Sequence, residues 1–226
     1  MKKTLVIFDL DGTLADTEMV VARAKHDTFL AECGVDIPVM EYADLFSGLS
    51  RHNQEALLEK KYGIRYTDDL REKSDALCRL RRAQMSPLPG IYELIAALKT
   101  HGIDFCIASG SSLPTMQATL DTIGLADFFP ESARFSGRMV THGKPAPDLF
   151  LLAAQKMGYD PKNCIVVEDS AAGLQAAAAA GMKRIPFLYA THTAGGNYRA
   201  GINALLEKGE KTADTPARLL QIILES

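Results

Sequence analysis

The stretch from Leu5 to Thr13 constrains this chain more than any other. Leu5-Val6-Ile7-Phe8 is apolar without interruption and runs directly into Asp9-Leu10-Asp11-Gly12-Thr13, which carries two carboxylates one residue apart. A short unbroken apolar run fits a strand buried on both faces, which requires a parallel sheet covered by helices on either side. Alternate residues of an extended chain point the same way, so Asp9 and Asp11 can converge just beyond the strand's end. Acids placed there indicate chemistry rather than solubility.

The rest of the chain supplies partners for that strand. Strand-like runs recur at Ile103 to Ala108, Cys164 to Val167 and Ile185 to Tyr189, with a weaker one at Ala133 to Phe135. Helical patterns lie between them, around 91–100, 113–124, 146–158 and 171–180. This alternation predicts an α/β core, a doubly wound (Rossmann-like) parallel sheet. Gly102, Gly124, Gly158 and Gly181 each follow a helical stretch, where a residue tolerant of positive φ ends the helix.

Between the first two strands lies a strandless segment too long for an ordinary crossover, which reads as an inserted α-helical cap domain. The expected division is 1–16 and 86–226 for the catalytic core and 17–85 for the cap. Met19, Ala22, His26, Phe29 and Cys33 share one helical face; Ser50 is placed to cap a helix through Tyr62, and Thr67 another through about Gln84. The chain enters this segment near Ala15 to Thr17 and leaves through Ser86-Pro87-Leu88-Pro89-Gly90, a stiff, turn-prone stretch. The two linkers together form a plausible hinge.

Composition narrows the partners. A net charge of -3 argues against a broad basic surface for nucleic acid or anionic lipid. No apolar run is long enough to span a bilayer or to form a signal-peptide core, so a cytoplasmic location is expected. Cys33, Cys78, Cys106 and Cys164 are scattered through apolar segments with no close pair, and they read as buried thiols rather than a disulfide framework or zinc knuckle. His26, His52, His101, His142 and His192 form no metal-ligand or nucleophile-base pattern and read as structural or surface groups. The segment from Thr191 to Lys211 reads as a surface loop or a contact. The sequence leaves the oligomeric state open, and a monomer is compatible with it.

Four polar clusters follow strand ends: Asp9 with Asp11, Ser109 with Gly110, Lys144 just before Pro145, and Glu168 with Asp169. In open α/β sheets the crevice beyond the strands' carboxyl ends is where ligands bind, so the clusters are expected to share one site. That many carboxylates together would repel one another without a hard cation, and Mg²⁺ prefers oxygen ligands. Asp9, Glu168 and Asp169 are therefore assigned to a metal region. A phosphate dianion is the natural counterpart, with Ser109 and nearby backbone amides as donors and Lys144 as a point charge.

In order and type these four clusters resemble the motifs of the haloacid dehalogenase superfamily, in its Mg²⁺-dependent phosphatase branch. The insertion after the first motif resembles the helical cap of the β-phosphoglucomutase and sugar-phosphatase group. The resemblance implies that Asp9 is a nucleophile forming an aspartyl-phosphate and that Asp11 is the general acid and base. It further implies a metal held by Asp9, the main-chain carbonyl of Asp11 and Asp169, with Glu168 beside it, and a phosphoryl group bound by Ser109, Gly110 and Lys144. Asp11 also argues against halide displacement, since dehalogenases of the superfamily need no leaving-group acid. In the cap, Gly48-Leu49-Ser50-Arg51 matches a loop whose Arg holds the polar end of the substrate, which makes Arg51 the leading specificity residue. Thr17 corresponds to a residue bordering the active site, although a helix N-cap is the favoured reading and a substrate contact the lesser one. The expected activity is hydrolysis of a small phosphate monoester, a sugar phosphate or related organic-acid phosphate. Two other readings stand beside it: an intramolecular phosphomutase, and a non-catalytic phosphometabolite sensor. The mutase's first cap helix carries a His where this chain has Val21, and its later cap Lys has no secure counterpart among Arg79, Arg81 and Arg82; both departures favour hydrolysis.

Overall fold

In the computed structural model, which describes residues 4–47, 49 and 51–226 and only the backbone of Arg51, the first apolar run is the centre of a parallel sheet. The strands are β1 (Leu5–Phe8), β2 (Asp104–Ser109), β3 (Arg134–Ser136), β4 (Cys164–Glu168) and β5 (Lys183–Pro186), in spatial order β3-β2-β1-β4-β5. β1 pairs with β2 on one side (Leu5 opposite Asp104) and with β4 on the other (Leu5 opposite Cys164). The order therefore reverses at β1, whose carboxyl end is the topological switch point of the sheet.

Alternation along β1 divides the core into two layers. Val6 and Phe8 pack with α5 (Ile91–Thr100), α6 (Leu113–Thr122) and α10 (Pro216–Leu224). Leu5 and Ile7 face α7 (Asp148–Met157) and α8 (Ala171–Ala179) on the other side. The alanine run ending α8 is close-packed, with Ala176, Ala177 and Ala180 all buried. Gly102, Gly124, Gly158 and Gly181 all adopt positive φ where their helices end.

Helices α1 (Thr17–Cys33), α2 (Val39–Phe46), α3 (Arg51–Tyr62) and α4 (Asp68–Arg82) occupy the segment between β1 and α5 and enclose an apolar cluster of their own. Phe29, Tyr42 and Phe46 form its centre, with Tyr42 and Phe46 stacked at 4.5 Å. Thr67 caps α4 by accepting from the Leu70 amide at 3.3 Å. The expectation for Ser50 lies outside the described residues. The two connections to this helical lobe run side by side: Ala15 bridges to Pro87, and the Leu88 amide donates to the Leu14 carbonyl at 3.1 Å.

Three expectations need correction. β5 ends at Pro186 instead of running from Ile185 to Tyr189, because pairing with β4 is a backbone matter that includes the polar Lys183 and Arg184; beyond Phe187 the chain pairs instead with Ala213. α7 starts at Asp148 rather than 146, since the two prolines at 145 and 147 hold the preceding residues in a turn. Not all the cysteines are buried: Cys106 and Cys164 lie in strands, whereas Cys33 at the end of α1 is exposed and Cys78 is half-buried. Among the described residues no helix is long and apolar enough to cross a membrane.

Candidate active site

The ladder of the sheet continues one residue past β1, with the Asp9 amide donating to the Val167 carbonyl at 3.0 Å. That bond places Asp9 beside Glu168 and Asp169, which leave the neighbouring strand. Carboxylate oxygens of Asp9, Glu168 and Asp169 all lie within 4.8 Å of one another, and all three residues are buried. The Lys144 ammonium lies between two of them, donating to Asp9 Oδ1 and to Glu168 Oε1, each at 2.6 Å. Burial alone would lower the Lys144 pKa, but Asp9 and Glu168 outweigh it and hold the ammonium above its usual range. Asp9 is pushed well up, first by burial and then by the charges of Glu168, Asp169 and Asp11, against the opposing pull of Lys144.

Two glycines make room for this cluster. A Cβ on Gly12, whose φ is +85°, would lie 2.4 Å from Asp169 Oδ2, and one on Gly173 of α8 would lie 1.9 Å from Glu168 Oε1. The first glycine lets the turn after Asp11 close over Asp169; the second lets the helix pass directly against Glu168. Ser170 caps that helix by accepting from the Gly173 amide, and its own amide donates to Glu168 Oε2 at 2.7 Å.

Asp11 points to the other side of the same cavity. Its carboxylate accepts from Ser111 Oγ at 2.7 Å and Ser109 Oγ at 3.3 Å, with Arg82 of α4 at 3.4 Å. Asp9, Asp11, Ser109, Gly110, Lys144, Glu168 and Asp169 thus line one cavity of about 320 Å³, together with Glu18, Arg82, Ser111, Ser170 and Tyr198. The side chain of Asp11 stands apart from the acid cluster. Thr17 does not line the cavity: it is the first residue of α1, fully buried, and not a cap, the N-cap position belonging to Asp16. The side chain of Arg51 lies outside the described residues.

His192 and Tyr198 were not anticipated. Asp169 accepts from Thr13 Oγ1 at 2.9 Å on one oxygen; on the other it meets His192 Nε2 at 2.9 Å and the Tyr198 hydroxyl at 3.3 Å. His192 is fully buried and is no surface group. Burial would lower its pKa, but Asp16 and Asp169 override this and raise it to about 10. The ring reaches the site because a 3₁₀ turn over Thr191–Ala194 follows the end of β5, and α9 (Gly196–Asn203) then folds back across it. Of the two readings of the Thr191 to Lys211 segment, the contact is the one observed: Asp44 of α2 accepts from the Tyr198 amide at 3.1 Å and from Asn197 Nδ2 at 2.7 Å. A strand expected to end at Tyr189 puts His192 three residues beyond it, and that closeness to a strand end is the signal that points to the site.

A second cavity, about 360 Å³, lies within the helical lobe and touches Val21, Lys25, Tyr42, Glu55, Tyr66 and Arg79. Arg82 and Ser111 line both cavities, so the two adjoin.

Residues 3–181 match the family model for haloacid dehalogenase-like hydrolases. Over 183 residues the chain is 34% identical to the fructose-1-phosphate phosphatase of Escherichia coli (strain K12), covering 80% of this chain and 94% of that protein. It is 29% identical to the 6-phosphogluconate phosphatase of the same organism, covering 83% of each. Among solved structures, a conserved haloacid dehalogenase-like protein from Agrobacterium tumefaciens str. C58 superposes with a TM-score of 0.87 at 29% identity, covering 99% of this chain and 98% of that one.

Proposed function

The chain belongs to the haloacid dehalogenase-like hydrolases, and from that premise we propose that it is a Mg²⁺-dependent phosphatase acting on a small phosphate monoester, a sugar phosphate or related organic-acid phosphate. One observation carries this reading: a serine and four carboxylates from three strand ends, and a lysine from the loop between β3 and α7 rather than from a strand end, meet around a single cavity. The phosphatases of known substrate among its relatives support it.

In the proposed mechanism Asp9 attacks phosphorus through a carboxylate oxygen, and the bond to the leaving oxygen breaks as Asp11 gives that oxygen a proton. Asp11 then takes a proton from water, which attacks the aspartyl-phosphate, releasing phosphate and restoring Asp9. At about 4 Å and an effective dielectric near 20, a carboxylate and a phosphate dianion repel by roughly 8 kcal/mol, so the attack needs positive charge beside it. Lys144 supplies part of that charge from its place against Asp9. Ser109 and the amides following it, including that of Gly110, are the donors for the phosphoryl oxygens.

The buried oxygens of Asp9, Glu168 and Asp169 fit Mg²⁺ in number, type and spacing, with the Asp11 carbonyl as a further ligand. When bound, the cation neutralises charge on the phosphoryl group and on these carboxylates. The helices over 17–85 act as a cap whose closure excludes water, hinged where the two linkers run together. Val21 lines the cap cavity, so the wall where the mutase places an imidazole carries an aliphatic side chain. This favours release to water over return of the phosphoryl group to the sugar.

The test is phosphate release from a panel of sugar and sugar-acid phosphates with Mg²⁺. Release should vanish with EDTA and in an Asp9→Asn protein of unchanged circular dichroism. A folded Asp9→Asn protein that keeps wild-type turnover would sink the mechanism, and glucose 6-phosphate forming from β-glucose 1-phosphate in preference to free phosphate would replace it with the mutase.

A further inference from the structure

The cavity in the helical lobe is built for one kind of group at its far end. Lys25 of α1 is buried there, its ammonium over the Tyr66 ring at 4.8 Å and hydrogen-bonded to the Tyr66 hydroxyl. Asp75 stands 3.9 Å away, at ion-pair rather than hydrogen-bond distance, so the ammonium keeps donor capacity for another acceptor. Tyr42, on the same wall, is 3% exposed, and its hydroxyl is buried with no hydrogen-bond partner among the described residues. A buried hydroxyl left unpaired costs free energy, which an acceptor within the cavity would recover. Burial also holds this phenol well above its usual pKa, which keeps it a donor.

Charge points the same way. The cavity is lined by Lys25, Arg79 and Arg82 against two carboxylates, Glu55 and Asp75. Glu55 is already held by Arg71 at 3.0 Å and Arg82 by Asp11 at 3.4 Å, which leaves Lys25 and Arg79 against Asp75. The excess is positive and modest. It suits a group carrying one negative charge; the second phosphate of a bisphosphate would bring about two, against the same pair of carboxylates.

We propose that the cap cavity reads a carboxylate at the end of the substrate opposite its phosphate, with Lys25 and Tyr42 as the donors that contact it and Arg79 as a supporting cation. This rests on the phosphatase reading above and narrows it from sugar phosphates in general to phosphorylated sugar acids. Arg82 and Ser111 border both cavities, so the pose this requires sets the phosphate at Asp9 and runs the acid past these two side chains to Lys25.

Titration calorimetry on the Asp9→Asn protein separates recognition from turnover. The matched probes are 6-phosphogluconate and sorbitol 6-phosphate, both acyclic and differing only in carboxylate against hydroxymethyl. The acid should bind at least ten-fold more tightly. Lys25→Met should bring that ratio to within about three-fold of unity, and Arg79→Met should lower it by a smaller factor; Arg79 is exposed, so its variant serves if the buried Lys25 change prevents folding. Equal binding of the two probes overturns the proposal, as does tighter binding of fructose 1,6-bisphosphate or a ratio unmoved in the folded variants. Selective binding of the acid with no phosphate released by the wild-type protein would instead uphold this subsite and overturn the hydrolytic reading.

Discussion

The two adjoining cavities differ in how completely their charges are already answered. At the strand ends Lys144 donates to two carboxylates at 2.6 Å, and both oxygens of Asp169 have partners. In the helical lobe the buried Lys25 ammonium has a neutral hydroxyl, Tyr66, as its hydrogen-bond partner and stands 3.9 Å from its acid, and among the described residues the buried Tyr42 hydroxyl has no partner. On the proposed reading, groups that act on every substrate are held by the sheet, where backbone pairing sets positions closely, and groups that choose among substrates sit on helices and complete their bonding through the ligand.

The largest effect should come from breaking the tighter region. Lys144→Met leaves Asp9 and Glu168 buried without their cation, a loss of about 3–5 kcal/mol. In metal-free buffer, calorimetry should show the melting temperature falling by about 10 °C. Phosphate release should drop by at least about 1,000-fold, the loss of a charge-assisted contact to the transferring group. A variant that melts with the wild type would mean that the strand-end charges are no more committed than those of the cap.

The contrast also explains what could be read from the sequence. Asp9, Ser109, Lys144, Glu168 and Asp169 each follow a strand or a turn whose signal is local, and the parallel sheet brings such ends together without further information. His192 has only its place after the last strand as a local signal, and its role depends on Asp169, 23 residues away. Tyr198 and Asp44 have no local signature at all, since their meeting depends on how α9 crosses the sheet end and touches α2. In the lobe, the amphipathic face of α1 was legible in Met19, Ala22 and Phe29 but told nothing of Lys25, which the same helix buries against α4 and Tyr66.

A smaller loss is expected at the group that orients an acid without touching substrate. His192→Asn should weaken Mg²⁺ binding by about 10–100-fold, the usual effect of removing a partner behind a metal ligand. Titrating Mg²⁺ against phosphate release should show the half-saturating concentration rising while activity at saturation largely returns. An unchanged Mg²⁺ curve would show that Thr13 and Tyr198 suffice to hold Asp169.

Cys78 probes the looser region directly, because it lines the cap cavity, while Cys33 is exposed outside it. Burial pushes the Cys78 thiol up, so less of it is thiolate at pH 8 and its alkylation should be several-fold slower than that of Cys33. Raising the pH through the usual thiol range and beyond should speed Cys78 alkylation, and adding 6-phosphogluconate to the Asp9→Asn protein should slow it again. Mass spectrometry of iodoacetamide-treated samples follows both sites at once. Alkylation of Cys78 indifferent to that ligand would separate the cavity from the active site.

The smallest effect should fall where the two regions are tied. α9 has no side-chain cap of its own; Asp44 of α2 serves instead, so a residue of the helical lobe secures the helix that carries Tyr198 to Asp169. A Cβ on Gly195 would stand 2.2 Å from Asp44 Oδ1, which shows how closely the two pieces approach. Asp44→Ala removes one cap, worth about 1 kcal/mol, and should lower the melting temperature by about 2–4 °C. Amide exchange should quicken in α9 before it quickens in β1 or β4, because the strands keep their ladder while the helix loses its anchor. If exchange instead rises equally in all three, α9 belongs to the rigid strand-end region, and the line between the two regions must be drawn on the far side of Asp44.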